Sequence, residues 1–389
     1  MIITEIKLRN FRNYRDAVWQ PHPGVNLLFG ANGSGKTNLI EAIHYCALGR
    51  SHRINQDAEA VLRGESLAAV AVSVQKRLGR RELAMKLTPN LPRKKTFYAE
   101  RKKLPRLMDL MGQLQVVIFS PEDLNLVKSG PSLRRRLMDM VLSQLEPRYF
   151  LALQQVQQAM EQRNMLLKQM KKTNRRPDDQ LLAFEQAMAE PTAVIVHARR
   201  RLTRELMPAA ESIYHQISAR QGESFLATYA SVFQSDDPAG ELISQCAKRR
   251  EEDLLRGQTS FGIHREDLSL TLNRQDMRTF ASQGQIRTAA LALKLAQIEL
   301  FRSRQGEAPV LLLDDVMSEL DLARREQLLT YIDGNQTFIT CTDRTDLLTA
   351  DLQRTYRISL NENREAMVEM VTAGQAVEPE TEIEDPDFS

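Results

Sequence analysis

The stretch GANGSGKT at residues 30–37 constrains this chain more than any other feature of its sequence. Gly30, Gly33 and Gly35 let the backbone turn tightly, so that successive N–H groups point at phosphate oxygens beside a helix N-terminus. Lys36 can reach β- and γ-phosphates, and the Thr37 hydroxyl can hold Mg²⁺. Such a loop needs a strand before it and a helix after it. VNLLF at 25–29 supplies the strand. Leu39, Ile40, Ile43 and Ala47 then recur at helix spacing, and Gly49 ends the run. With both flanks in place, an ordinary glycine turn is the weaker reading.

A second motif lies near the other end of the chain. VLLLDD at 310–315 is an apolar strand that delivers Asp314 to its carboxyl end, where ligands bind in open α/β sheets. Asp314 can bind a water of the Mg²⁺ shell, and Asp315 would face the γ-phosphate and orient the attacking water. Lys36, Asp314 and Asp315 are thus the candidate catalytic residues; Thr37 and Asp314 are the candidate Mg²⁺ ligands. The bland alternative is a strand ending in a solvated Asp-Asp turn. SQGQ at 282–285 starts a helix with Ser and Gly, a second anion-binding arrangement or a plain Ser N-cap. If it binds phosphate, the economical reading is that it serves the nucleotide of another molecule. SELD at 318–321 is either a loop crossing a dimer interface or a cap on the helix from Leu322.

Between these motifs the chain changes character. Ile3, Ile6 and Leu8 alternate with charged residues, as in a half-buried strand, and residues 67–119 hold further alternating segments that continue a sheet. Residues 132 to about 256 are rich in Leu, Met, Gln, Arg and Ala. A long amphipathic helix is expected over 149–170, broken by KKTNRRPDD at 171–179, with two more helices over 181–190 and 192–207 separated by Pro191. Strands return from Phe261. The fold class is α/β, a phosphate-loop head assembled from N- and C-terminal segments around an inserted helical lobe. Its parts are 1–120, carrying the phosphate loop; 121–257, the helical insert; 258–365, carrying the later motifs; and 366–389, an acidic tail expected to be disordered.

Composition excludes several classes. A length of 389 residues suggests two or three structural units. No apolar run reaches the roughly 18 residues of a membrane span, and the charge-interrupted N-terminus is no signal peptide. Cys46, Cys246 and Cys341 read as buried free thiols, and six scattered histidines form no metal cluster. A soluble cytoplasmic protein without a membrane partner is expected. Residues 378–389 hold six acidic residues, so the remainder carries 53 basic against 44 acidic residues, a charge of +9 instead of +3. That balance permits nucleic-acid binding, and solvated helix faces account for it as well. The clusters at 93–95, 134–136, 171–176 and 199–201 with Arg204 are candidate phosphate contacts, but DNA-binding residues stay unassigned.

Taken in order, the phosphate loop, S-x-G-Q before a helix, the apolar strand with Asp-Asp and S-x-L-D resemble the ABC-type ATPases. KLRNFRNY at 7–14, SPEDLNLVKSGPSLRRRLMD at 120–139, TSFGIHREDLSL at 259–270 and LDDVMSELD at 313–321 narrow the resemblance to the RecF family of bacterial recombination-repair ATPases. It covers residues 1 to about 360. The resemblance implies an ABC-type head in which Gly30, Ala31, Asn32, Gly33, Ser34, Gly35, Lys36 and Thr37 bind ATP with Mg²⁺. Ser282, Gly284 and Gln285 would contact the γ-phosphate held by an opposite subunit, with Asp321 across that interface. It also implies an ATP-dependent homodimer at gapped or single-strand/double-strand junction DNA. Such a dimer works with the mediator proteins RecR and RecO to load the RecA recombinase, and is tied to replication restart and the SOS response.

Two positions depart from the ABC pattern. Asp315 stands where transporter motors carry Glu, so a slow, DNA-stimulated ATPase acting as a switch is expected. Thr342 is the nearest polar residue where they carry a His. Gln113 and Gln115 both lie near the place of the glutamine that links metal to the second lobe. The alternative reading is the motor subunit of an ABC transporter, against which the long insert and both departures count. An SMC clamp would need longer arms, and a GTPase would need an N-K-x-D motif.

Overall fold

A strand that is buried along its whole length needs cover on both faces, and three such strands, at 116–119, 310–314 and 337–341, set this architecture. The computed structural model describes residues 1–54, 56–92, 94–173, 179–218, 222–342 and 354–371. Its N-terminal third holds β1 (Ile2–Phe11), β2 (Tyr14–Trp19), β3 (Val25–Phe29), α1 (Lys36–Leu48), β4 (Ala68–Lys76), β5 (Gly79–Leu87), β6 (Lys95–Ala99), β7 (Lys102–Lys103) and β8 (Val116–Phe119). The middle holds α2 (Asn125–Lys128), α3 (Pro131–Leu145), α4 (Pro147–Thr173), α5 (Asp179–Ile217), β9 (Phe225–Ala230), α6 (Pro238–Lys248) and α7 (Arg250–Arg256). Then follow β10 (Asp267–Leu272), β11 (Gln275–Asp276), α8 (Met277–Phe280), α9 (Gln283–Gln305), β12 (Val310–Asp314), α10 (Leu322–Ile332), β13 (Thr337–Cys341), β14 (Arg354–Leu360) and β15 (Ala366–Val371).

The central sheet runs β15-β14-β3-β13-β12-β8, parallel except for β15. In β12 the side chains of Leu311 and Leu313 enter one core and that of Leu312 the other. The Leu312 side is closed by α1 and the antiparallel sheet β2-β1-β4-β5-β6-β7, through Ile6, Leu8, Val70, Val72 and Leu83. The other side is closed by α3, α4, α5, α9 and the small sheet β11-β10-β9, through Met138, Val156, Ile195, Leu202 and Leu293. Each such buried side chain contributes roughly 1.5–3 kcal/mol.

The segments at 67–119 continue sheets as expected: β4, β5 and β6 extend the sheet of β1, and β8 joins the sheet of the phosphate loop. Other sequence expectations need correction. The two helices expected on either side of Pro191 are one, α5, which also passes Pro208. Its buried stripe (Glu185, Met188, Thr192, Ile195, Arg199, Leu202) stays in register across Pro191, and this packing outweighs the lost backbone bond. The insert at 121–257 is not wholly helical: β9 lies inside it and pairs with β10 beyond its boundary. Residues 366–371, at the start of the expected tail, form β15 against β14. The remaining tail, 372–389, and positions 174–178 of the helix break lie outside the described residues. Among the described residues no helix is long and apolar enough to cross a membrane.

Candidate nucleotide site

Parallel strands bring their carboxyl ends to one edge, and the chemistry of this chain gathers there. Gly30 follows β3, Asp314 ends β12, and β13 lies between them with Thr340 opposite both Asp314 and Leu28. Gly30 has φ +149°, and a Cβ there would lie 2.1 Å from the Ile358 carbonyl oxygen of β14. Only glycine fits that crossing. The loop is braced from the β1–β2 turn: Asn13 Nδ2 donates to Ser34 O (3.0 Å) and Tyr14 Oη to Gly35 O (3.1 Å).

Lys36 Nζ donates to Gly30 O (2.6 Å) and Ala31 O (2.8 Å), so the ammonium curls over the loop that phosphate would fill. Burial holds its pKa below the usual lysine range, against the pull of nearby acidic groups that include Asp315 and Asp314. The buried Ser34 hydroxyl has no hydrogen-bond partner among the described residues. Thr37 Oγ1 donates to Asp314 Oδ1 (2.8 Å), and Thr340 Oγ1 donates to the same oxygen (2.9 Å). Burial pushes the Asp314 carboxyl up, but His52, Thr37 and Thr340 outweigh it and hold the group below its ordinary value. An ionised carboxylate against a threonine hydroxyl, beside a lysine and an orphaned serine, suits Mg²⁺ and a polyphosphate. Asp315 adopts left-handed backbone, φ +52°, and its N–H donates to Thr340 Oγ1 (2.9 Å). A cavity of about 150 Å³ is lined by Asn32, Gly33, Gly35, Lys36, Thr37, Asn38, Arg53, Asp315, Thr340 and Thr342. Gln113 and Gln115 precede β8, and Gln115 O accepts from Val310 N at the start of β12. Both therefore sit toward the amino end of the sheet, opposite the phosphate loop.

The other two motifs form a second cluster. Ser282 caps α9, its hydroxyl accepting from Gln285 N (3.4 Å) while Gln285 Oε1 accepts from Ser282 N (2.7 Å). Gln285 Nε2 donates to Glu223 Oε1 (2.7 Å), so both ends of this side chain are engaged within the chain. Asp321 caps α10 and pairs with Arg324, whose guanidinium also donates to Gly284 O (3.0 Å) and Thr288 Oγ1 (3.0 Å). Arg324 thus ties SQGQ to SELD. Among the described residues no hydrogen bond or ion pair joins Ser282, Gly284, Gln285 or Asp321 to residues 30–37.

Most of the basic clusters have structural partners. Arg134 is buried against Asp267 (2.8 Å) and Arg199 against Asp139 (2.8 Å) and Glu266 (2.7 Å), while the partly exposed Arg201 pairs with Glu146 (2.7 Å). Arg135 and Arg136 donate to the carbonyls of Glu266 and His52, Arg200 to that of Phe233, and Lys171 to that of Leu255. Lys95 pairs with Asp57 (2.8 Å). Arg93, Arg175 and Arg176 lie outside the described residues. His52, Arg53, Glu223 and Arg324 enter through long-range contacts that no local spacing marks, whereas Asn13 lies within KLRNFRNY at 7–14.

Residues 2–366 match the family model of the RecF/RecN/SMC N-terminal domain. The DNA replication and repair protein RecF of Acetivibrio thermocellus is 40% identical over 349 residues, covering 88% of this chain and 94% of its own. That of Symbiobacterium thermophilum is 40% identical over 371 residues, covering 92% and 96%. A solved structure of the recombination mediator protein RecF with ATP, from the RecFOR pathway, superposes with TM-score 0.85 at 32% identity, over 95% of this chain and 98% of that one. The Smc head domain of Pyrococcus furiosus, at 16% identity and TM-score 0.55, shares the fold.

Proposed function

The chain belongs to the RecF family within the RecF/RecN/SMC group, a family of DNA replication and repair, and from that membership we propose that it is an ATP-switched DNA clamp. The motor subunit of a transporter is not favoured. ATP binds residues 30–37, with Lys36 released from the Gly30 and Ala31 carbonyls onto the phosphates. Thr37 and Asp314 hold Mg²⁺, which when bound neutralises charge on the phosphates. Asp315, in its constrained backbone, orients the attacking water. Its shorter carboxylate supports slow turnover, stimulated by DNA.

The second cluster completes the site in trans. Ser282 and Gly284 meet the γ-phosphate held by another copy, and Asp321 lies across the same interface. Gln285 serves by fixing the cap of α9. Because the γ-phosphate is shared, ATP binds the dimer better than the monomer, the differential affinity a switch requires. The dimer presents gapped or single-strand/double-strand junction DNA to RecR and RecO in the cytoplasm, for RecA loading.

One observation supports this reading above the others: the 2.8 Å bond from Thr37 to Asp314, which brings the loop hydroxyl and the strand-end carboxylate together across 277 residues of chain. Light scattering with no nucleotide, with ADP, and with ATP plus Mg²⁺ tests it. The expected result is a monomer that doubles in mass only with ATP, and Lys36→Ala staying monomeric without bound ATP. A mass indifferent to ATP, with and without gapped DNA, removes the clamp.

A further inference from the structure

The segment after α1 sets two imidazoles beside Asp314. His44 is completely buried, with Nδ1 2.8 Å from the Arg50 carbonyl oxygen. A carbonyl only accepts, so Nδ1 carries the proton. Burial keeps the ring neutral, which leaves Nε2 bare. His52 packs edge-on against it, ring centres 5.0 Å apart. Neither His52 nitrogen nor His44 Nε2 has a hydrogen-bond partner among the described residues. Three imidazole nitrogens without a hydrogen bond in one buried place are unfavourable and call for an occupant or a task.

The surroundings hold His52 in place. The Ser51 hydroxyl donates to Glu41 and accepts the N–H groups of Arg53 (2.9 Å) and Ile54 (3.1 Å). Glu41 is itself gripped by Arg12 through two bonds, 2.8 and 2.9 Å. From the helical lobe, Arg136 donates to the His52 carbonyl (3.1 Å). So anchored, the ring is 8% exposed and its Nε2 lies 3.9 Å from Asp314 Oδ2. That is beyond a hydrogen bond but within reach of a side-chain adjustment or one water. The two hydroxyl donors of Asp314 both bind the other oxygen, Oδ1.

We propose that His52 is a positioning residue for the Mg²⁺ site, donating from Nε2 to Asp314 Oδ2 and thereby setting the orientation of that carboxylate toward the metal. The inference rests on reading Thr37 and Asp314 as Mg²⁺ ligands. Groups that orient a metal ligand typically govern metal affinity by about 10- to 100-fold.

The test titrates the full-length protein with a fluorescent ATP analogue, in EDTA and across a Mg²⁺ series, with melting temperature measured alongside. His52→Phe keeps the ring against His44 but removes both nitrogens; His52→Gln keeps an N–H donor. His52→Phe is expected to match the wild type in melting temperature and in affinity in EDTA. The Mg²⁺ concentration for half-maximal tightening should rise about tenfold, and His52→Gln should recover most of it. If His52→Phe does not fold, His52→Asn, whose amide falls short of Asp314, should show the same loss. A folded variant lacking the donor but with wild-type Mg²⁺ dependence overturns the proposal. So does a loss of affinity equal with and without Mg²⁺, or a Gln variant as impaired as the Phe or Asn one. No Mg²⁺-dependent tightening in the wild type overturns the ligand reading itself, and His52 then has nothing to position.

Discussion

At the scale of single residues, burial sets the chemistry of this site and gives it a pH signature. His44 is neutral because its buried ring cannot be solvated as a cation, and His52 beside it adds to that penalty. In the unfolded chain the same ring titrates near 6.5. Below that pH the unfolded state takes up a proton that the folded state refuses. Stability therefore falls as pH drops through the unfolded value, by up to about 1.4 kcal/mol per pH unit for one such group, until the folded value is reached. His264, lowered chiefly by burial, acts in the same direction. His44→Gln keeps a donor for the Arg50 carbonyl but does not titrate. It is expected to lose roughly 1–2 kcal/mol less than the wild type between pH 7.5 and pH 5, read from urea midpoints at the two pH values. Parallel losses in the two proteins would show that His44 is protonated in the fold or that its charge is solvated.

At the scale of elements, α5 shows how tertiary packing overrides a local signal. A proline inside a helix costs about 3 kcal/mol in an exposed setting, yet α5 continues through Pro191 because its buried stripe is shared with α4 and α9. Pro191→Ala restores a backbone donor and relieves the ring, against a smaller entropic loss from a freer unfolded chain. A gain of about 1–2 kcal/mol is expected in chemical denaturation; a destabilised variant would mean the proline shapes a bend the packing needs. The same contrast explains what could be read without coordinates. The phosphate loop, its strand and its helix were legible because glycine spacing and the change from strand to helix pattern are local. So was Asp314 at the end of VLLLD. Which sheet each strand joins was not, because a pairing partner far along the chain leaves no local mark: β4 pairs with β1 and β8 with β12. Nor was the fate of the arginine clusters: the partners of Arg199, Asp139 and Glu266, lie on other elements, and a run of basic residues carries no record of the acids that neutralise it.

At the scale of the whole molecule, the two clusters raise a question that one chain cannot answer by itself. The phosphate loop and Asp314 meet at the sheet edge, while Ser282, Gly284 and Asp321 gather around Arg324 with no bond to residues 30–37 among the described residues. A site split in this way is either two unrelated features or two halves that face each other in a dimer. Mixing variants separates these cases. Lys36→Ala lacks the cradle but keeps the Ser282 cluster. Ser282→Arg keeps the cradle but places a bulky cation where a γ-phosphate of another copy would dock, so it should bind ATP and stay monomeric. Neither variant alone can form a complete site. In a heterodimer of the two, one site combines both lesions and the other combines an intact cradle with an intact Ser282 cluster. An equimolar mixture with ATP and Mg²⁺ should therefore regain association that each variant lacks, measured as mass by light scattering, with one ATP bound per pair. Sharing of the γ-phosphate supplies the attraction, so ADP should not substitute. If the Ser282 cluster served only the nucleotide of its own chain, every molecule in the mixture would still carry one lesion, and the mixture would stay as monomeric as its parts.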